Sequence, residues 1–434
     1  MSPDGHLPPR VLILSGIQLS ANPRVVKEAD TLGDAGYRVE VVGATVDSRL
    51  AERDLELCAA KPWTYTTLVD ASSTSWKERF KWLRARARMR FAREAFSRFE
   101  VQSPHQLGYV TEELFRHAIT HPAELTILHN PQAIWAGAAL IRERRPVAVD
   151  MEDWYSEDLL SEDRKRQPVG SLQRWEGLVL REASYSTTTS GCLSRALAAA
   201  YDCPPPAVVY NSFPSSERNR LDGKILDRVD VTIPSLTWFS QVIGPGRGLE
   251  TLMDALPGMK SVFEIHLRGN CRSDYRASLL ARAPESWRSR IHFHSQVPHA
   301  ELLSRIAEHD VGLAAEIPFC QSRALTITNK LLQYLLAGIA VVASDTEGQR
   351  EAAQGAGGAV VLFKAGAAAN LAEALDSLFA TPARLTLAKA DALSAALGQF
   401  SWERSAAILL EQVECAVRQS PRGMPGNAPA GKPS

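Results

Sequence analysis

The 434-residue chain has no net charge, with 49 Lys and Arg against 49 Asp and Glu. A general nucleic-acid binder is basic, so this balance speaks against that class. There are only six cysteines (Cys58, Cys192, Cys203, Cys271, Cys320 and Cys415), and no two form a C-x-x-C pair. That excludes a disulfide framework and the common zinc modules, and it suits a reducing compartment. The first ten residues, MSPDGHLPPR, lack the apolar core of a signal peptide. The most apolar stretch, Leu331 to Ala343, is interrupted by Gln333 and Tyr334. It is too short to span a bilayer and suits a buried helix followed by a buried strand. The expectation is a cytoplasmic protein, with any membrane contact peripheral at the inner face. There is also no D-x-D triplet and no H-E-x-x-H. His292, His294 and His299 lie near one another, but no carboxylate stands at ligand spacing, so no metal or cofactor is expected.

What is present is a large apolar fraction, 45%, enough for two or three domains. Arg10 to Gly16 is a short apolar run ending in Ser-Gly, the mark of a buried parallel strand feeding a tight turn. NPRVVKEADTLGDAGY follows with Val25, Ala29 and Leu32 at helical spacing and Gly36 at the C-cap position. RVEVVG is the next strand, so the chain opens with a βαβ unit. LTILHN, the helix from Pro131 to Arg144, PVAVDME, YSTTTSG and PAVVYNS continue the alternation. A second series runs through SLTWFSQ, a Gly-Pro-Gly-Arg-Gly turn, FEIHLRG, RIHFHSQ, HAELLSRIAEH, DVGLAAE, NKLLQYLLAG and IAVVASD.

The expected layout is a disordered start (1–9), a first Rossmann-like α/β domain (10–212) and a polar linker (213–230). A second Rossmann-like domain (231–400), a helix crossing back to the first (401–419) and a disordered tail (420–434) follow. Ligands of such parallel sheets bind at the carboxyl ends of the strands, here expected in a cleft between the domains.

Several residues stand where that geometry puts chemistry. The turn IGPGRGLE offers glycines for close backbone approach, Gly246 and Gly248, together with Arg247. Asn329 and Lys330 open another helix. Two cations beside helix starts suit a diphosphate. Glu316 ends a strand nearby and either faces a donor sugar or is a surface carboxylate. In the first half, Gly16, Asn22 and Arg24 follow the first strand; the last two either contact an acceptor or phosphate or cap the helix they begin. His129 ends a strand. Glu152 and Asp153 end the next one, where paired carboxylates can orient hydroxyls or move a proton, or complement a helix dipole.

Taken together, NPRVVKEADTLGDAGYRVEVV, LHNPQAIWAGAAL, VVYNS, WFSQVIGPGRGLETLMDAL, VPHAELLSRIAEHDVGL and TNKLLQYLLAGIAVVASDTEG resemble the bacterial family 4 (group 1) glycosyltransferases, from about Val11 to Gln419. The resemblance implies the GT-B fold, two Rossmann-like domains facing a cleft. It also implies metal-independent transfer of a sugar from a nucleotide-sugar donor, with retention, in polysaccharide or glycoconjugate synthesis. It places the donor diphosphate on Arg247 and Lys330, the donor sugar against His129, and the acceptor near Asn22, Arg24 and Glu152. The family commonly has two glutamates eight positions apart on the helix of Lys330, the second on the donor ribose. Here Leu325 and Gln333 stand in their places, and Gln333 can still hydrogen-bond a hydroxyl without charge. That departure keeps open a non-catalytic nucleotide-sugar-binding protein on a decayed transferase scaffold, and a GT-B-fold sugar-nucleotide epimerase is the alternative among enzymes.

Finally, Trp76 to Glu100 reads as one strongly basic helix, with nine Lys and Arg. Trp82, Ala85, Met89, Ala92, Phe96 and Phe99 form one apolar face, expected either to pack on the first domain or to lie on an anionic membrane carrying a lipid-linked acceptor.

Overall fold

A computed structural model describes residues 7–164, 167–228 and 230–420. The expected tail and most of the expected disordered start lie outside these residues. The chain divides into two compact units. The first takes the chain up to Thr187, Leu197–Ala207 and everything from Ile408 onward; the second takes Thr188–Ala196 and Val208–Ala407.

The first unit is built on β1 (Arg10–Ser15), β2 (Arg38–Thr45), β3 (Trp63–Asp70), β4 (Leu125–His129), β5 (Val147–Met151), β6 (Ser186–Thr188) and β7 (Ala207–Val208). Their order is β3-β2-β1-β4-β5-β6-β7. β1 pairs in parallel with both β2 and β4. Leu12, Ile13 and Leu14 have no exposed surface, because a parallel strand covered on both faces carries apolar side chains at consecutive positions. The helix Pro23–Asp34 begins with Pro23 in its first turn, and the Asn22 side chain accepts from the Val25 N–H at 3.3 Å. It buries Val25, Ala29 and Leu32 in a core shared with Val11, Ile13, Ile127 and Ala148. The final helix, Trp402–Gln419, sends Leu409, Val413 and Ala416 into that same core.

The second unit is built on β8 (Ser235–Ile243), β9 (Glu264–Cys271), β10 (Ile291–His294), β11 (Val311–Ala314), β12 (Ala340–Ser344) and β13 (Val360–Phe363), in the order β10-β9-β8-β11-β12-β13. Its pairings are parallel. Two strands escaped the sequence reading. β3 (WTYTTLVD) is mostly half-buried and has polar residues at alternate positions, and β13 (VVLF) is four residues long. The stretch expected as a polar linker is bonded along the second unit. Arg218 donates to the Leu336 carbonyl, Asp222 pairs with Arg305 at 2.6 Å, and the N–H groups of Leu226 and Asp227 donate to Glu308 at 2.8 Å.

The basic helix spans Trp76–Phe99. Ala85, Met89 and Ala92 are buried, as expected, and Trp82 packs on Tyr109 with ring centroids 4.7 Å apart. Phe99, however, is exposed. A second apolar stripe, Trp76, Phe80, Leu83, Ala87 and Phe91, recurs at four, three, four and four residues on the opposite, solvent-facing side. Among the described residues, no helix is long and apolar enough to cross a membrane.

Candidate functional site

In a parallel α/β sheet, the crevice lies where successive connections leave in opposite directions. In the second unit that point is between β8 and β11, since β9 and β10 build outward on one side and β12 and β13 on the other. The loop Gly244 to Gly248 follows β8. Gly246 has φ +74° and opens onto free space. Gly248 has φ +78°, and a Cβ there would stand 2.4 Å from the Ala315 carbonyl oxygen, so only glycine lets this loop lie against the end of β11. Arg247 between them is exposed; its Nη1 donates to Ser240 Oγ at 3.2 Å, and it makes no ion pair among the described residues.

Glu316 lies just past Ala315, near the start of the helix Asn329–Ala337. Its Oε1 accepts from Lys330 Nζ at 2.9 Å and from Thr328 Oγ1 at 3.3 Å. Burial raises the Glu316 carboxyl, but Lys330, Thr328 and Arg323 outweigh it and hold the group below its ordinary value, so it stays ionised. Lys330 also stands 5.7 Å from the Trp238 ring centroid. Asn329 is exposed and accepts from Asn211 Nδ2 at 3.1 Å. Gln333 and Leu325 are both buried, at 6% and 5% exposure. The neighbouring Tyr334 lies under β11, its hydroxyl donating to the Leu313 carbonyl at 3.2 Å. The structure thus gathers Gly246, Arg247, Gly248, Glu316, Asn329 and Lys330 around one strand end and keeps Gln333 in the helix's buried side. Trp238, Ser240 and Thr328 join them, and only their proximity in space reveals it.

The first unit has its switch point between β1 and β4. Gly16 caps β1, with its N–H donating to Asn130 Oδ1 at 3.1 Å and its carbonyl accepting from Gln132 Nε2 at 2.6 Å. Asn130 takes the left-handed conformation, φ +65°, which a short amide side chain tolerates. Asn22 is the helix cap described above, and it is 3% exposed. Arg24 is 1% exposed and grips Asp150 with Nε at 2.5 Å and Nη2 at 3.0 Å. His129 has no exposed surface; its Nε2 bonds Glu28 and its Nδ1 lies 3.8 Å from Asp150. Asn22, Arg24 and His129 therefore stand in the interior under the strand ends. Glu28 and Asp150, which complete the cluster, sit inside segments that read as plain amphipathic helix and apolar strand. Glu28, His129 and Asp150 bring three ligand-type atoms within 4.8 Å of one another, but the Arg24 guanidinium already supplies the cation there. Glu152 and Asp153 are half-buried just past β5. Burial and Asp150 push the Glu152 carboxyl up against the opposing pull of Arg24 and His129.

Burial pushes the His129 imidazole down, but Glu28 and Asp150 outweigh it, so its pKa is raised above the ordinary value. A raised histidine contributes stability that is complete below the unfolded pKa, about 6.5, and is lost as pH climbs through the folded pKa. Urea midpoints of the wild type should therefore fall, relative to those of His129→Gln, as pH rises above about 6.5. Parallel curves for the two proteins would show that His129 does not carry this proton.

Residues 234–381 match the family described as glycosyl transferases group 1. No curated protein matches the sequence significantly. Among solved structures, the chain is similar to Anabaena HepE in complex with UDP, at 18% identity and TM-score 0.64 over 93% of this chain and 99% of that one. It is similar to the sucrose-phosphate synthase of Thermosynechococcus elongatus, at 13% identity and TM-score 0.66 over 94% and 98%. It is also similar to a UDP-forming trehalose-phosphate synthase from Burkholderia xenovorans, at 12% identity and TM-score 0.63 over 95% and 99%.

Proposed function

We propose that the chain, which has the GT-B fold and matches the group 1 glycosyl transferases over residues 234–381, is a glycosyltransferase whose second unit holds the diphosphate of a nucleotide-sugar on Arg247, Lys330 and the Gly246–Gly248 backbone. The observation that carries the reading is the convergence of a glycine loop, an exposed arginine and a lysine at the switch point of one sheet. Breaking the bond between sugar and diphosphate adds a negative charge to the leaving diphosphate, and preorganised cations stabilise it without reorganising water. Arg247 is free to meet the phosphates. Lys330 is already aimed by Glu316, which is in turn placed to accept from hydroxyls of the donor sugar. The first unit receives the acceptor over Gly16, with Glu152 and Asp153 as half-buried carboxylates just past β5. Asn22, Arg24 and His129 support that surface from below. The anomeric outcome we infer is retention.

UDP is the first probe, because Anabaena HepE has been seen with UDP and with UDP-glucose. Calorimetry should find one site, with Arg247→Ala and Lys330→Ala each costing about 1.5–3 kcal/mol, roughly ten- to hundredfold in affinity. Unchanged affinity in both variants would remove the site from this place. One observation favours the binding-only alternative: apolar Leu325, in place of a glutamate, is buried and cannot serve a ligand's hydroxyls. Tight binding with neither transfer nor donor hydrolysis would decide for that alternative.

We also propose that the helix Trp76–Phe99 lays its outer stripe on an anionic bilayer. Trp76, Phe80, Leu83 and Phe91 are 73%, 63%, 59% and 77% exposed. Arg79, Arg86 and Arg90 flank the stripe on one side, and Lys77 and Arg84 on the other, all exposed and without ion pairs among the described residues. Arg86, Arg90 and Arg93 also line a 620 Å³ cavity with Tyr109, a setting for a phosphate headgroup. Each basic residue at a negative leaflet contributes about 1 kcal/mol, and the aromatic rings suit the headgroup layer. The chain should co-sediment with anionic but not neutral vesicles at low salt, and Phe80→Ser with Phe91→Ser should weaken this severalfold. Equal binding to both lipids, or no effect of the double change, would leave the stripe without this role.

A further inference from the structure

β9 and β10 run side by side at the edge of the second sheet, with His266 paired to His292 and Arg268 to His294. One face of the pair is apolar: Ile265, Leu267 and Ile291 enter the core and Phe293 packs against it. Alternation puts Glu264, His266, His292 and His294 together on the other face. Asp227 and His309 close over them. Asp227 is bound to Arg268, and the His309 Nδ1 bonds Ser235 Oγ at 3.1 Å.

Counting hydrogens exposes a gap. Glu264 Oε2 faces His266 Nε2 at 3.3 Å, His266 Nδ1 faces His294 Nε2 at 3.0 Å, and His294 Nδ1 faces Asp227 Oδ1 at 3.4 Å. Each of these three contacts needs one hydrogen between its atoms. Two neutral imidazoles bring one N–H each, and the carboxylates bring none. If both N–H groups point toward Asp227, the missing hydrogen falls between Glu264 and His266. His292 Nε2 is buried at that same spot with no hydrogen-bond partner, 3.7 Å from Glu264 Oε1. Two imidazole lone pairs and a carboxylate then meet with nothing positive among them.

We infer that Glu264, His266 and His292 bind a divalent transition metal, zinc by the chemistry of the set. Their ligand atoms lie within 4.8 Å of one another. Tetrahedral zinc with bonds of about 2.0–2.2 Å needs its ligand atoms about 3.3–3.5 Å apart, close to the spacings seen here. A mixed imidazole and carboxylate donor set suits zinc, with water as the fourth ligand. The metal takes the His266 Nε2 lone pair, His266 Nδ1–H donates to His294, and His294 Nδ1–H donates to Asp227. This is the outer carboxylate relay that orients a metal-bound histidine. The site lies toward the amino ends of β9 and β10, and the diphosphate loops follow the carboxyl ends of β8 and β11, so its work is to tie the edge strand to its neighbour. It does not depend on the donor reading. In sequence the cluster is hidden because Glu264 and His266 lie some thirty residues from His292, and His299 is not part of it.

The test is calorimetric titration of the metal-depleted, untagged full chain with zinc chloride, with visible spectroscopy of the cobalt form. One zinc per chain and the intense bands of four-coordinate cobalt are expected. Asp227→Asn should weaken zinc by about 10- to 100-fold. His292→Phe, which keeps a ring on His266, should abolish the site while circular dichroism stays unchanged. No stoichiometric zinc at about micromolar concentration, or zinc binding indifferent to both changes, overturns the assignment. If the variants fail to fold, nitrogen-15 spectra of the wild type decide: an imidazolium in this row, unmoved by zinc, fills the gap with a proton and refutes the metal.

Discussion

Gly248 lies so close to the carbonyl of Ala315 that no side chain fits between them. That contact ties the loop after β8 to the end of β11, at the one place in the second sheet where the chain's connections diverge. Arg247 stands beside it because its neighbours on both sides take left-handed backbone, and Glu316 stands beside it because it follows Ala315 directly. Lys330 then reaches Glu316 from the start of its own helix. The candidate donor site is thus one backbone approach with three charges arranged around it.

Those charges are matched unequally. Lys330 is neutralised at rest by an ionised Glu316 and held near the Trp238 ring, whereas Arg247 bonds a serine hydroxyl and makes no ion pair among the described residues. An arriving diphosphate would find one cation free and the other fixed in direction. The first unit works differently. Its corresponding strand ends rest on a buried cluster in which Arg24 and His129 balance Glu28 and Asp150. Removing one partner of such a buried set costs more than the pair contributes, since it strands a charge away from water. The cluster therefore holds the strand ends in place and is shielded from any ligand.

Much of this is legible in the sequence. Apolar runs such as VLILS and IAVVASD announce parallel strands, and the glycines around Arg247 announce a tight approach, because these signals are local. Strands β3 and β13 are missed where half-burial or shortness erases the period. The burial of His129 and Arg24 is missed because a polar residue at a strand end or a helix start looks alike whether it meets solvent or a partner a hundred residues away. Asn130 and Gln132 lie within a recognised motif, yet their bonds to Gly16 exist only in the folded chain. The outer stripe of the basic helix is hidden by the inner one, since one helix with two apolar sides reads as having a single broad one.

The central claim is that the switch point of the second sheet is a diphosphate site. Hydrogen–deuterium exchange with and without UDP tests it most directly, because it maps binding along the whole chain at once. The account predicts that protection concentrates in residues 244–250 and 328–334, while the cluster around His129 is unaltered. Protection confined to the first unit, with those two segments exchanging as before, would contradict it.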